Sequence, residues 1–199
     1  MIDVSHHIDT VERRVDRRTV TLSRVYDTTA ADLWDACTTP ERIARWFLPV
    51  SGDLRAGGRF AFTGNASGTI ERCDPPRAVD ATWEAGGRTS RVELRIAAEP
   101  DGRARLTLAH SGQADELWDQ FGPGAVGVGW DGAVLGLALH LADPASRPDP
   151  AWQETGEARR FYALSSERWG EASAAAGTPR AEADAAAART TGFYTGQPA

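Results

Sequence analysis

Arg91-Val92-Glu93-Leu94-Arg95-Ile96 decides the fold. Apolar and charged side chains alternate there one for one, which places Val92, Leu94 and Ile96 on one face of a strand and the charges on the other. The same period of two extends outward in both directions. Downstream, Leu106, Leu108 and His110 alternate with Arg105, Thr107 and Ala109. Upstream, Val79, Ala81 and Trp83 alternate with Asp80, Thr82 and Glu84, and Phe60 and Phe62 alternate with Ala61 and Thr63. Turn sequences separate the runs: Ala56-Gly57-Gly58, Gly64-Asn65, Asp74-Pro75-Pro76, Gly86-Gly87 and Pro100-Asp101-Gly102. The pattern predicts an antiparallel meander with one buried and one wet face. The buried face needs a cover.

The flanks supply it. Residues 18–26 are β-branched and alternating, which predicts a first strand. Thr29 is placed to cap a helix carrying Leu33, Trp34 and Cys37 on one face, with Asp32 at its third position able to reach back. Thr39-Pro40-Glu41 starts a second short helix that ends near Trp46-Phe47 and is stopped by Pro49. The cover itself is the helix expected over residues 127–142. At 100° per residue, Trp130, Val134, Leu137 and Leu141 share one face, and Val128, Gly132, Leu135 and Leu139 share nearly the opposite one. A helix apolar on two sides is buried on two sides. Its second partner is either the C-terminal extension or another subunit, which leaves a homodimer open. The apolar run from Gly124 to Ala142 carries Asp131 and His140, so it is read as a buried helix and not as a membrane span.

Beyond Asp143-Pro144, a proline-rich linker leads to a helix over about 151–176 and an alanine-rich helix after Thr178-Pro179. The expected division is a loose polar arm over 1–17, one α+β domain over 18–147, and a helical C-terminal extension over 148–199. The N-terminus lacks the apolar stretch of a signal peptide, so a cytoplasmic protein is expected.

Composition excludes several classes. The 199 residues carry a net charge of −6, against nucleic acid as main partner. All 22 basic residues are arginine, so Schiff-base and phosphate-loop lysine chemistry are absent. Cys37 and Cys73 are too few and too far apart in sequence for a disulfide framework or a zinc site. The expectation is no metal and no cofactor. Gly57-Gly58 and Gly86-Gly87 read as hairpin turns, and His6-His7 falls in the polar arm.

A family resemblance rests on particular residues. Leu33-Trp34-Asp35-Ala36 running to Thr39-Pro40-Glu41-Arg42-Ile43-Ala44-Arg45-Trp46-Phe47 resembles the opening of bacterial homologues of the activator of heat-shock-protein-90 ATPase. Asp53-Leu54-Arg55-Ala56-Gly57-Gly58-Arg59-Phe60, then Gly68 to Arg77, Thr82-Trp83-Glu84, Leu106 to Gly112 and Gly129-Trp130 follow in the family's order. These proteins belong to the SRPBCC, or START-like, superfamily. The resemblance covers about residues 18–142 and implies a helix-grip fold: a curved antiparallel sheet around a long helix, with a cavity between. That superfamily includes lipid carriers, hormone receptors, polyketide cyclases and co-chaperone domains, and fold alone does not choose among them.

The candidate site is therefore read from side chains. Trp46, Phe47, Phe60, Phe62, Trp83, Trp118, Trp130 and Val134 are expected as walls for a small hydrophobic or aromatic molecule. His110, in register with Leu106 and Leu108, is expected inward as a polar handle. Arg72 faces inward if Ile70 does, which would require an anionic partner, or it is exposed at a strand end or bulge. Asp80 and Glu84 are expected on the solvent face. Asp131 is read as favourable to a helix N-terminus. The segment Ser111–Val126, with Asp115, Trp118 and Phe121, is either a lid or an ordinary connection. No nucleophile–base–orienter set is recognisable. The leading expectation is ligand binding. The alternatives are a polyketide cyclase- or dehydratase-like enzyme using His110, and a co-chaperone-type interaction module.

Overall fold

The computed structural model describes residues 2–112, 116–145, 147 and 149–196. From the N-terminus come helix α1 (Val4–Asp9), strands β1 (Glu12–Asp16) and β2 (Thr19–Tyr26), and helices α2 (Ala30–Thr38) and α3 (Pro40–Trp46). Strands β3 (Val50–Gly52), β4 (Arg59–Phe62), β5 (Ser67–Asp74), β6 (Ala78–Ala85), β7 (Arg88–Ala98) and β8 (Ala104–Ser111) follow. Helices α4 (Glu116–Phe121), α5 (Gly124–Ala142), α6 (Gly156–Ala175) and α7 (Arg180–Thr195) complete the chain, with a short 3-10 turn at Pro150–Glu154. The strands form one eight-stranded sheet in the order β1-β2-β8-β7-β6-β5-β4-β3. The class is α+β.

Two compact units divide the described residues. One takes Ser23–Gln113 and Ala133–Pro148; the other takes Met1–Leu22, Ala114–Gly132 and Asp149–Ala199. Strand β2 and helix α5 each contribute residues to both.

In the first unit the alternation of two is realised as read. Strand β8 buries Ala104, Leu106, Leu108 and His110, and β7 buries Val92 and Ile96. The β6–β7 hairpin closes Ala85 onto Arg88 through Gly86 and Gly87, whose φ angles of 56° and 73° suit a two-residue turn and exclude most side chains. Thr29 caps α2 by accepting from the Asp32 amide at 3.2 Å. The Asp32 carboxylate does not close a capping box; it accepts from Thr28 Oγ1 and Arg42 instead. The C-terminal half of α5 is anchored here. Tyr26 donates its hydroxyl hydrogen to the Val134 carbonyl at 3.1 Å. A Cβ on Gly136 would stand 2.4 Å from the Trp46 carbonyl oxygen, so only glycine lets helix and α3 approach this closely.

The structure refines one expectation in this unit and decides between the two left open for Arg72. Asp80 lies on the charged face, opposite Glu93, yet is shielded from water: it is 5% exposed, bonded to Arg95 and 3.5 Å from Arg91. The guanidiniums arch from neighbouring β7 and cover it with their stems. Arg72 is exposed and pairs with Asp74 at 3.2 Å, because a bulge between Ile70 and Arg72 shifts the register and turns it outward.

In the second unit, residues expected as a loose arm are structured. Helix α1 buries Val4 and Ile8, and β1 follows with Arg13 inward. Polar sequence misled here because only a few apolar anchors, spaced four apart, were needed. Helix α6 packs against α1 and β1, with Phe161 and Trp169 at 1% and 0% exposure. A Cβ on Gly127 would lie 2.3 Å from the Trp169 ring, so α6 packs directly against the N-terminal half of α5. Among the described residues α5 is the one helix long and apolar enough to cross a membrane. Its buried residues, Val128, Asp131, Val134, Leu135 and Leu137 among them, lie on both faces.

Candidate functional site

Six ring-bearing residues of the unit made of Ser23–Gln113 and Ala133–Pro148 form a continuous wall. Trp46 ends α3 and Phe47 caps it; Phe60 and Phe62 lie on β4, Trp83 on β6 and His110 on β8. Ring centroids step along it at 5.8 Å from Trp46 to Phe47, 5.0 Å to Phe62, 5.6 Å to Trp83 and 6.2 Å to His110. Phe60 joins Phe62 at 5.5 Å and Trp83 at 6.3 Å. The contacts are edge-on or tilted, the geometry that aromatic quadrupoles favour. Glycine makes room for the wall at one point. Gly68 pairs with Phe60 across β4–β5, and a Cβ there would meet Thr82 backbone at 2.0 Å and the Phe60 ring tip at 2.9 Å.

Burial along the wall is uneven. Phe60, Ile70 and Ala81 form its buried base, with Phe62, Trp83, Val50 and Leu54 only partly covered around them. Trp46 and Phe47 are likewise half-buried. Trp46 is oriented by its ring N–H, which donates to the Ala36 carbonyl at 3.0 Å.

His110 is 6% exposed, and its Nε2 lies 2.7 Å from Ser90 Oγ. Burial pushes its pKa down to about 4, so the ring is neutral at physiological pH. Burial likewise pushes the Cys37 thiol up to about 12, outside the range of thiolate chemistry. Among the described residues no group of three or more His, Cys, Asp or Glu is placed to hold a metal ion.

Of the nine residues expected at the site, the structure brings six together in this wall. Val134 is buried on α5, its carbonyl held by Tyr26. Trp118 on α4 and Trp130 on α5 belong to the other unit, and both are half-buried. Asp115 lies outside the described residues. Part of the connection that Trp118 occupies is helical, as α4. A groove of about 560 Å³ lies in the other unit, lined by Ile2 to Ser5, Gly156, Glu157 and Arg160, and none of the nine residues lines it.

Sequence reasoning missed a buried charge cluster. Asp131 sits two turns into α5, not at its start, at 1% exposure. Its Oδ2 accepts from Arg13 Nε at 3.0 Å, Ser165 Oγ at 2.5 Å and Trp169 Nε1 at 3.1 Å. Burial nonetheless pushes this carboxyl above the usual carboxylate range, with Arg13 the strongest pull in the other direction. An acid inside the most apolar run of the chain was the available signal. Ser90 was missed as well, since an isolated serine on a strand carries none.

The sheet order, the long helix and the aromatic wall define an α+β helix-grip protein of the SRPBCC type. The chain belongs to the family described as "Activator of Hsp90 ATPase homolog 1-like protein", which it matches over residues 27–142. It is similar to CalU16 from Micromonospora echinospora. The crystal structure of CalU16 shares 34% identity with TM-score 0.65, covering 84% of this chain and 96% of that one. The solution structure of CalU16 gives 32%, 0.67, 83% and 96% in the same order. DynU16, described as a protein in the dynemicin biosynthetic locus, shares the fold at 19% identity and TM-score 0.57, covering 65% of this chain and 49% of that one. No curated protein sequence matches the chain.

Proposed function

We propose that this chain is a cytoplasmic, cofactor-independent binding protein whose ligand is a small hydrophobic or aromatic molecule held against the Trp46–His110 wall. One observation carries the reading: six rings lie in unbroken contact, yet Trp46, Phe47, Phe62 and Trp83 are left only half-buried. Folding alone does not remove so much aromatic surface from water, and a flat apolar guest would. At about 25 cal/mol per Å² of apolar surface, covering such a patch supports roughly micromolar affinity after the costs of association. The description of DynU16 as a biosynthetic-locus protein supports a small-molecule ligand.

The enzymatic alternative would use the same His110. A pKa pushed down to about 4 leaves little imidazolium at neutral pH, so the ring would serve as a base and not as a general acid, and the wall's other five rings supply no partner acid, which favours binding over catalysis. The family's name supports the co-chaperone alternative, in which the surface and not the wall would matter.

Native mass spectrometry of protein purified from its own host is expected to show a retained small molecule. Trp83→Ala is expected to release it with the fold intact by circular dichroism. No retained mass, together with no thermal shift across a library of lipids and aromatics, removes the reading. Recovery of a chaperone in pull-downs, with altered chaperone ATPase, would replace it by the co-chaperone one.

A further inference from the structure

Resting on that ligand-binding reading, we propose that Trp46 is the fixed plate of the site and that Gly136 of α5 is the positioning residue that sets where the plate stands. The ligand is then recognised at Trp46 through the face of the ring and not through its N–H.

The lock on the ring begins with a proline. A helical carbonyl is normally satisfied by the N–H four residues further on. For Ala36, near the end of α2, that residue is Pro40, which has no N–H to give. Ala36 is 0% exposed, so its carbonyl cannot turn to water instead. The Trp46 ring N–H takes the open place at 3.0 Å. An indole carries one donor and no acceptor, so this bond leaves the Trp46 side chain nothing polar to offer a ligand.

The backbone of the same residue is held from another side. A Cβ on Gly136 would stand 2.4 Å from the Trp46 carbonyl oxygen, 3.4 Å from its carbonyl carbon and 3.9 Å from its Cα. The last residue of α3 thus rests on bare backbone of α5. Two helices, α2 and α5, fix ring and backbone separately, and neither restraint covers the ring faces. Trp46 accordingly stays half-buried while being doubly held. A ring already ordered loses little freedom when a flat guest covers it, so more of the contact appears as affinity. A side chain at position 136 would drive the Trp46 backbone away from α5 while the ring stays tied to Ala36, and the plate would tilt. Gly136 acts through Trp46.

Two-dimensional ¹⁵N spectra of the full chain read the lock, with the Trp46 indole signal identified by its loss in Trp46→Phe. The Trp46 ring N–H is expected to exchange with solvent at least about tenfold more slowly than free indole, with and without naphthalene. Exchange as fast as free indole overturns the lock. Tryptophan-fluorescence titration with naphthalene reads the site. Gly136→Ala is expected to shift the Trp46 indole signal and to weaken naphthalene by about five- to tenfold, the worth of one aromatic contact. Gly132→Ala, on the same helix, is expected to change neither. Unchanged naphthalene affinity in folded Gly136→Ala, with stability alone reduced, overturns the role of Gly136 and leaves the binding reading standing. Should Gly136→Ala fail to fold, Trp46→Phe decides: it keeps a ring but loses the N–H that orients it, and unchanged affinity there overturns the plate. Failure of the unmodified protein to bind naphthalene removes both readings.

Discussion

His110 couples stability to pH with a definite sign. Its ordinary value of 6.5 applies in the unfolded chain, and burial lowers it to about 4 in the folded one. Between these values the unfolded chain holds a proton that the folded chain does not. Stability is therefore full above pH 6.5 and is lost as pH falls toward 4, by about 3 kcal/mol at most. Urea midpoints measured at pH 7 and 4.5 are expected to differ less in His110→Gln than in the unmodified protein. An unchanged difference would show that burial does not hold the ring neutral. The inward direction of His110 was legible from its register with Leu106 and Leu108; its partner Ser90 was not, because hydrogen bonding across strands depends on which residues the register opposes. Asp80 shows the same limit. Period two placed it outward, and the arginines that bury it come from the next strand.

At the scale of elements, helix α5 carries the most testable contrast. Gly132 and Gly136 stand one turn apart. A Cβ on Gly132 would meet nothing within 4 Å, whereas one on Gly136 would meet the Trp46 carbonyl at 2.4 Å. Alanine is the better helix former at both positions by about 1 kcal/mol. Gly132→Ala is therefore expected to raise the melting temperature. Gly136→Ala is expected to cost about 1–3 kcal/mol, since backbone cannot yield as a side chain can. Differential scanning calorimetry decides; equal stabilisation by both would mean that α3 and α5 are not in such close contact. The strands and the long helix were readable because periods of 2.0 and 3.6 are imposed by local geometry. The short elements β1 and α1 were not, because their burial comes from distant partners.

At the scale of the whole chain, Arg13, Asp131, Ser165 and Trp169 join segments far apart in sequence into one unit. Arg13 and Asp131 are 4% and 1% exposed, so removing either charge strands the other in an apolar interior. Asp131→Leu and Arg13→Met are each expected to destabilise by about 3–5 kcal/mol, and the double variant carrying both to recover most of that loss. Urea denaturation of the two single variants and the double one closes the cycle, and additive losses would refute the coupling. The C-terminal helices are thus part of how α5 is buried, which their low apolar content did not advertise.

The sequence alone determined the alternating strands, their turns, the long two-faced helix and the inventory of aromatic rings, since each follows from local periodicity and side-chain chemistry. Tertiary structure decided which rings touch, that Asp131 lies inside and Arg72 outside, and that Ser90 meets His110. Those are relations between residues many positions apart, fixed by strand register, one bulge and the approach of helices, and no local pattern encodes them.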